Sequence, residues 1–316
     1  MFNLIKNEWI KIFSRPGTYV MIGLLVLLVI GAGSVMKFAG VSQEPEGDWK
    51  QQTQMQIESD KQYLEEMGGS ENFQTQYYKQ QVAINEYRLA NDIEPASGES
   101  IWSFVNFNSN FVEIIGLFAI IVAAGIVASE FTWGTIKLLL IRPISRTKIL
   151  LSKYITVLLF GITLLLTLFL LSTLVGAIFF GGGDGQPHLV YIDGAVEEQN
   201  MVFYLIKTYL LKSISITMMA TMAFMISAVF RSSSLAIGIS LFLLFMGGTA
   251  TQFISMKYDW AKYSLFANTD LTIYTGAMQP LVDDMTLGFS VTMLIIYFVI
   301  FHLLAFIVFK KRDVAA

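Results

Sequence analysis

The 316-residue sequence contains no cysteine, and its two histidines, His188 and His302, lie far apart. Disulfides, thiolate metal sites and cysteine nucleophiles are therefore excluded, and a soft-metal pathway lacks most of its usual ligands. No Gly-Lys dipeptide occurs either. A phosphate-binding loop of the form G-x-x-x-x-G-K-[ST] needs glycine amides to wrap the phosphates and the adjoining lysine to reach their outer oxygens. The chain is expected to bind no nucleotide and to build no catalytic site. Charge is scarce as well: 14% of residues are charged against 54% hydrophobic, a balance too apolar for an ordinary soluble domain. Nothing in it suggests a nucleic-acid partner.

What the sequence does contain is recurrent apolar runs of about twenty residues, the length a helix needs to cross bilayer hydrocarbon. They predict an all-α membrane protein with spans at residues 18–36, 107–128, 149–180, 201–230, 234–254 and 287–309. The third is long enough to tilt or to project beyond the bilayer. Residues 1–17 read as an amphipathic interfacial helix, with Leu4, Ile5, Trp9, Ile12 and Phe13 on one face and Lys6, Asn7 and Lys11 elsewhere. Arg15-Pro16-Gly17 ends it. The apolar run that follows is longer than that of a cleaved signal peptide and carries no A-x-A-like site.

Orientation follows from the basic residues, which are retained on the cytoplasmic side. Lys6, Lys11 and Arg15 fall on one side with Lys137, Arg142, Arg146, Lys148 and Lys153, then Arg231, then Lys310, Lys311 and Arg312. Both termini, including the tail 310–316, are expected in the cytoplasm of a bacterial cell, with the chain in its plasma membrane. Residues 40–105 hold twelve acids against four bases and form a large extracytoplasmic insertion between the first two spans. Gly68-Gly69 divides it, and Phe73, Tyr77, Ile84 and Tyr87 recur at near-helical spacing, which predicts a helical hairpin. Residues 181–200, opening on Gly181-Gly182-Gly183, read as an outer loop. Residues 257–286, with Trp260, Tyr263 and Phe266, read as an outer amphipathic or re-entrant segment.

The most specific stretch is the loop 129–148. A carboxylate, Glu130, leaves the membrane and is followed by Trp133 and the small pair Gly134-Thr135. A leucine-rich turn comes next, and Pro143 with Ser145-Arg146 restarts the chain into the third span, with Leu150 and Lys153 after them. This pattern, and the order of elements along nearly the whole chain, resembles the permeases of ABC-2 type transporters. The resemblance implies that the loop contains a coupling helix, with Glu130, Trp133, Gly134, Thr135, Pro143, Ser145 and Arg146 meeting a cytoplasmic ATPase dimer. It also implies a second permease as partner, surrounding lipid, and ATP and Mg bound by the ATPase chain alone. The long outer segment 40–105 departs from many members. The permeases of Gram-positive peptide-antibiotic resistance and immunity exporters are nearest in appearance, and an amphipathic or hydrophobic substrate is implied.

Several residues admit two readings. Glu130 either contacts the ATPase or holds Lys137 or Arg146 in a loop ion pair. Glu113 is an intramembrane coupling carboxylate or the partner of Asn110 in a capping box; Lys212 lines a cavity or pairs with Glu113, while Lys207 snorkels. Met218, Met222 and Met225 form a stripe suited to packing or to a soft metal. Gly116, Ala119, Ala123, Ala124 and Gly238 suit tight packing within the chain or a dimer seam. The competing functional classes are a stand-alone secondary transporter using Glu113 and Lys212, and a membrane-anchored ligand sensor. Neither internal repeats nor broken mid-membrane helices, the usual marks of a secondary carrier, are evident in the sequence.

Overall fold

A computed structural model describes residues 1–38, 48–68, 73–95, 100–135, 143–182, 185–192, 194–230, 232–275, 280–282 and 284–311. Helix α1 (Phe2–Phe13) turns into α2 (Pro16–Phe38), whose first residue is proline, the position where a missing amide costs nothing. Helices α3 (Trp49–Glu66) and α4 (Phe73–Asn91) follow, then α5 (Ile101–Asn108), which runs through a 3-10 turn, Ser109–Phe111, into α6 (Val112–Thr132). Next come α7 (Arg146–Phe180), strands β1 (His188–Ile192) and β2 (Ala195–Gln199), α8 (Met201–Val229) and α9 (Ser233–Ser255). The short α10 (Leu265–Asn268) precedes α11 (Leu287–Lys311).

Among the described residues six helices are long and apolar enough to cross a membrane: α2, α5 with α6, α7, α8, α9 and α11. Five of these begin on a side-chain cap, α11 on Thr286, which accepts from the Phe289 amide at 3.2 Å. Ser100 accepts from the Ser103 amide at 3.1 Å, Ser145 from Lys148 at 3.4 Å, Asn200 from Val202 at 3.0 Å and Phe203 at 3.2 Å, and Ser232 from Leu235 at 3.3 Å. Such caps satisfy amides that have no partner inside the helix. Within the spans, hydroxyls bond the preceding turn of their own helix, as Thr156 does to Ser152, Thr167 to Thr163 and Thr217 to Ser213. These threonines thus enter apolar surroundings with their donors met.

Helix α6 is the axis of the bundle. Its buried face runs from Val112 to Glu130, and it packs most extensively on α8, then on α9 and α7. The small residues at Gly116, Ala119, Ala123 and Ala124 are buried in this packing, which gives them a role inside the chain. Met218 and Met222 are buried on α8 in the same core. Ser227, fully buried on α8, donates to the Ala124 carbonyl at 2.6 Å and accepts from the Ala128 amide at 3.0 Å. Its hydroxyl thereby bridges a carbonyl and an amide that an α-helix pairs with each other. Tyr154 and Thr221 join α7 to α8 at 2.8 Å, and Tyr209 on α8 donates to the Val105 carbonyl at 3.0 Å.

The outer faces of α2, α7, α9 and α11 are apolar and open. Leu27, Leu174, Phe245, Phe253 and Ile295 are all exposed, forming a belt far larger than the apolar patches of water-soluble monomers. This belt and the spanning length of the helices make the chain a membrane-embedded one.

The structure departs from the sequence reading in several places. The second apolar helix begins at Ile101, not near residue 107, so Val105 belongs to it and not to the insertion. No helix starts at Asn110, which lies inside the 3-10 turn; the Asn110–Glu113 capping box is therefore absent, and Ser100 caps the helix instead. The segment 181–200 is not simply a loop. Its β1 and β2 pair antiparallel, His188 opposite Gln199 and Ile192 opposite Ala195, with Gly194 turning at φ 89°. The expected hairpin of the insertion is present as α3 against α4, with Gly68 at φ 61°, Tyr63 and Tyr78 rings 4.4 Å apart, and Lys61 paired with Glu86 at 2.6 Å. Helix α4 also packs on both strands.

Between α9 and α10 the packing is tight enough to test. A Cβ placed on buried Gly247 would lie 2.5 Å from the Phe266 ring. Gly247→Leu is expected to cost about 1–3 kcal/mol through overpacking, read as a lower melting temperature in detergent. Adding Phe266→Ala, which removes the obstructing ring, should recover part of the loss.

Candidate functional site

The apolar face of α1 lies against α7: Trp9 and Phe13 rings are 4.6 Å apart, and Phe13 meets Phe160 edge-on at 6.2 Å. Thr18 donates to the Ile12 carbonyl at 2.5 Å and fixes the corner between α1 and α2. This docking carries Glu8, which shares the buried face with Ile12, into the bundle. Lys153 reaches the same place from the second turn of α7 and Glu130 from the last turn of α6.

There the three meet. Lys153 Nζ lies 2.9 Å from Glu8 Oε2 and 2.6 Å from Glu130 Oε1. Lys11 Nζ closes the group from its solvent side, 2.9 Å from Glu8 Oε1 and 3.2 Å from Glu130 Oε1. Only 1% of the Lys153 side chain is exposed. Two positive and two negative charges cancel, which is the condition for keeping charges so far from water. Burial alone would push the Glu8 carboxyl up; the charges and hydrogen bonds of Lys153 and Lys11 outweigh it and hold Glu8 below the usual carboxylate value. Burial likewise works to lower the Lys11 ammonium, and Glu8 and Glu130 together raise it above its ordinary value. The buried Glu130 Oε2 has no hydrogen-bond partner among the described residues.

A groove of about 520 Å³ opens beside this cluster, lined by Glu8, Lys11 and Arg15 on one side and Ser129, Glu130 and Trp133 on the other. Trp133 is exposed, with the Arg15 guanidinium carbon 5.6 Å from its ring centre. Gly134 takes φ 70° as α6 ends, a conformation open to glycine and strained for other residues. The Thr135 hydroxyl is 3.5 Å from the Glu130 carbonyl. Residues 136–142, with Lys137 and Arg142 and the expected surface helix, lie outside the described residues. Beyond them Pro143 stands exposed in a bend, Ser145 caps α7, and Arg146 Nη1 donates to the Lys310 carbonyl at 3.1 Å, in the last turn of α11.

The structure therefore brings Glu130, Trp133, Gly134 and Thr135 to one side of the undescribed segment and Pro143, Ser145 and Arg146 to the other. The loop ion pair expected between Glu130 and Arg146 is not made. Glu130 turns inward to Lys153 and Lys11, and Arg146 turns to α11. Sequence reasoning missed Glu8 altogether. Its signal was position: it follows Ile5 by three and precedes Ile12 by four, on the apolar face of a helix.

The other residues singled out do not assemble. Glu113 is exposed. Lys212 Nζ is taken by Ser109, with its carbonyl at 3.1 Å and its hydroxyl at 3.0 Å, and by Asn110 Oδ1 at 3.4 Å, so no Glu113–Lys212 ion pair forms among the described residues. His302 lies among Tyr154, Phe298 and Phe306 and bonds the Phe298 carbonyl at 2.8 Å. Among the described residues no three His, Cys, Asp or Glu side chains gather to hold a metal.

An apolar bundle of six membrane-length helices, crossed at one pole by a neutral four-charge cluster, defines a multi-pass helical membrane protein. More narrowly, the chain belongs to the family described as "Protein of unknown function (DUF2705)", which residues 72–315 match. It is 54% identical over 318 residues to "Uncharacterized protein YhcI" of Bacillus subtilis (strain 168), covering all of both chains. It is 30% identical over 223 residues to "Uncharacterized membrane protein YdbK" of the same organism, covering 70% of this chain and 87% of that one.

Breaking the cluster one-sidedly should be costly. Lys153→Met leaves the buried carboxylates of Glu8 and Glu130 with Lys11 alone to balance them and is expected to destabilise by roughly 3–5 kcal/mol, measured by thermal or denaturant unfolding in detergent. Combining it with Glu8→Gln and Glu130→Gln should recover most of that loss. The same cluster predicts a pH dependence. Because the folded pKa of Glu8 is depressed, its contribution is fully present above the ordinary carboxyl value of 4.5 and is lost as pH falls through the lower folded value. Glu8→Gln should flatten that part of the acid limb in a pH series of melting temperatures.

Proposed function

We propose that the chain is the membrane-spanning subunit of an ABC-2 type exporter in the bacterial plasma membrane, with both termini cytoplasmic. The single observation that carries this reading is the cluster of Glu8, Lys11, Glu130 and Lys153. It joins α1, the end of α6 and the start of α7 immediately at the two sides of segment 136–142. A force applied to that segment reaches three helices through charges that cannot separate cheaply, and reaches α11 through Arg146. A cytoplasmic ATPase dimer pressing there supplies the force, and ATP and Mg belong to that partner.

In this reading α1 lies along the inner membrane interface, with Phe2 and Ile10 on its exposed side. The α3–α4 hairpin and the β1–β2 hairpin form an extracytoplasmic cap. The open belt on α2, α9 and α11 meets lipid and a second permease, and suits a substrate that is itself amphipathic or hydrophobic. The stand-alone carrier finds less support, because Lys212 is occupied by Ser109 and Asn110.

The test lies in the loop. Gly134→Pro places a residue locked near φ −65° where the chain needs φ 70°, at a cost of about 3 kcal/mol confined to the loop. Arg146→Glu sets a carboxylate against the carbonyl end of α11, where a cation is favoured. Both variants should reach normal abundance in the membrane yet lose ATPase co-purification or efflux. Full retention of both by both variants, at equal abundance, removes the coupling assignment.

A further inference from the structure

At the pole opposite the charge cluster, a cavity of about 330 Å³ lies between α4, the β-hairpin and the first turns of α5 and α8. Arg88 enters it from α4. Its Nε is buried without a hydrogen-bond partner, and no acid pairs with its guanidinium among the described residues. The acid that lines the cavity, Glu198, accepts instead from the Tyr87 hydroxyl at 3.1 Å. Burial holds the guanidinium below its ordinary pKa. Burial, aided by the Arg88 charge, pushes His188 down to about 4, so its ring, stacked on Tyr204 at 3.7 Å, stays neutral at physiological pH and adds no second charge.

Two further features favour an anion. Helices α5 and α8 both begin at the cavity, at the caps Ser100 and Asn200, so the positive ends of two helices converge on it. The Asn200 carboxamide oxygen is taken by the Val202 and Phe203 amides, which leaves its NH₂ group to donate. Next to the cavity-lining Val202, Phe203 in the first turn of α8 is an exposed apolar side chain.

We propose that this cavity binds a phosphate group, held by the Arg88 guanidinium with Asn200 and the starts of α5 and α8. A guanidinium fork takes two phosphate oxygens at once, and donors arriving from two other directions suit a group with more oxygens than a carboxylate has. The phosphate belongs either to a phospholipid headgroup at the membrane rim or to a soluble phosphate ester. The inference stands on the cavity alone and holds whether or not the chain works with an ATPase.

The test uses the full chain purified in detergent, as wild type, Arg88→Gln and Arg88→Lys. One arm measures binding of inorganic phosphate and glycerol 3-phosphate by calorimetry at constant ionic strength. The other measures retention of phosphatidylglycerol against a phosphate-free glycolipid by native mass spectrometry. A soluble source appears as binding in the first arm, and a headgroup source as selective phospholipid retention in the second alone. In either case Arg88→Gln should weaken binding at least about tenfold, the loss expected when a charge-assisted bidentate contact is removed, and Arg88→Lys should fall between. Because an unpaired, half-buried cation stabilises nothing until it is occupied, ligand-free Arg88→Gln should melt no lower than wild type. Equal binding by Arg88→Gln, no binding in either arm, or a large fall in its ligand-free melting temperature overturns the proposal.

Discussion

Lys153 sits between two carboxylates with almost none of its side chain in water, and the arrangement of one pole depends on that pairing. A lone charge in such surroundings would be strongly destabilising. Glu8 and Glu130 together, with Lys11 to balance the fourth charge, make it tenable. One carboxylate comes from α1 and the other from α6, so α1 cannot leave the bundle without breaking the Glu8–Lys153 and Lys11–Glu130 pairs. The N-terminal helix is consequently a bundle component, docked by charge and by Phe13 and Trp9, rather than a float that merely rests on a surface.

The axis of the bundle is linked to its neighbour just before this cluster. Ser227 of α8 interposes its hydroxyl between the Ala124 carbonyl and the Ala128 amide of α6. Glu130 lies two residues further on. The direction of the last turn of α6, and with it the placement of Glu130, therefore depends on where α8 holds Ser227. Since α8 also carries Tyr209 against the Val105 carbonyl, positions near both ends of the α5–α6 helix are referred to one neighbouring helix. Gly116, Ala119 and Ala123 are buried along that contact.

What the sequence made legible is one-dimensional. Length and apolarity located α7, α8, α9 and α11 within a few residues, because a helix that must satisfy its own backbone in hydrocarbon announces itself by an unbroken apolar run. Ser145 was readable as a cap for the same local reason. The start of α5 was not, since Ser103, Asn106 and Asn108 interrupt the apolar run while Ser100 and the 3-10 turn keep the helix continuous. The β-hairpin was hidden by a compositional reading of residues 181–200, although Asp193-Gly194 between two short runs is a hairpin signal. Charge partners were least legible. Glu8 and Lys153 stand 145 residues apart, and the partners expected for Glu130 were the cations nearest in sequence, whereas the fold chose those on helices packed against it.

The two poles treat cations in opposite ways, and the contrast has a physical meaning. At one, Lys153 is enclosed between two acids, with Lys11 balancing the group, so its charge is cancelled within the chain. Disturbing it costs energy. At the other, Arg88 is half-buried, its Nε has no hydrogen-bond partner among the described residues, and Glu198, which also lines the cavity, is engaged by Tyr87. A buried cation left unpaired lowers stability. Residues held at such a cost are the ones whose partner arrives from outside. The same residue class is thus a strut where its charge is cancelled within the chain and a receptor where the field of two helix ends and a guanidinium is left open.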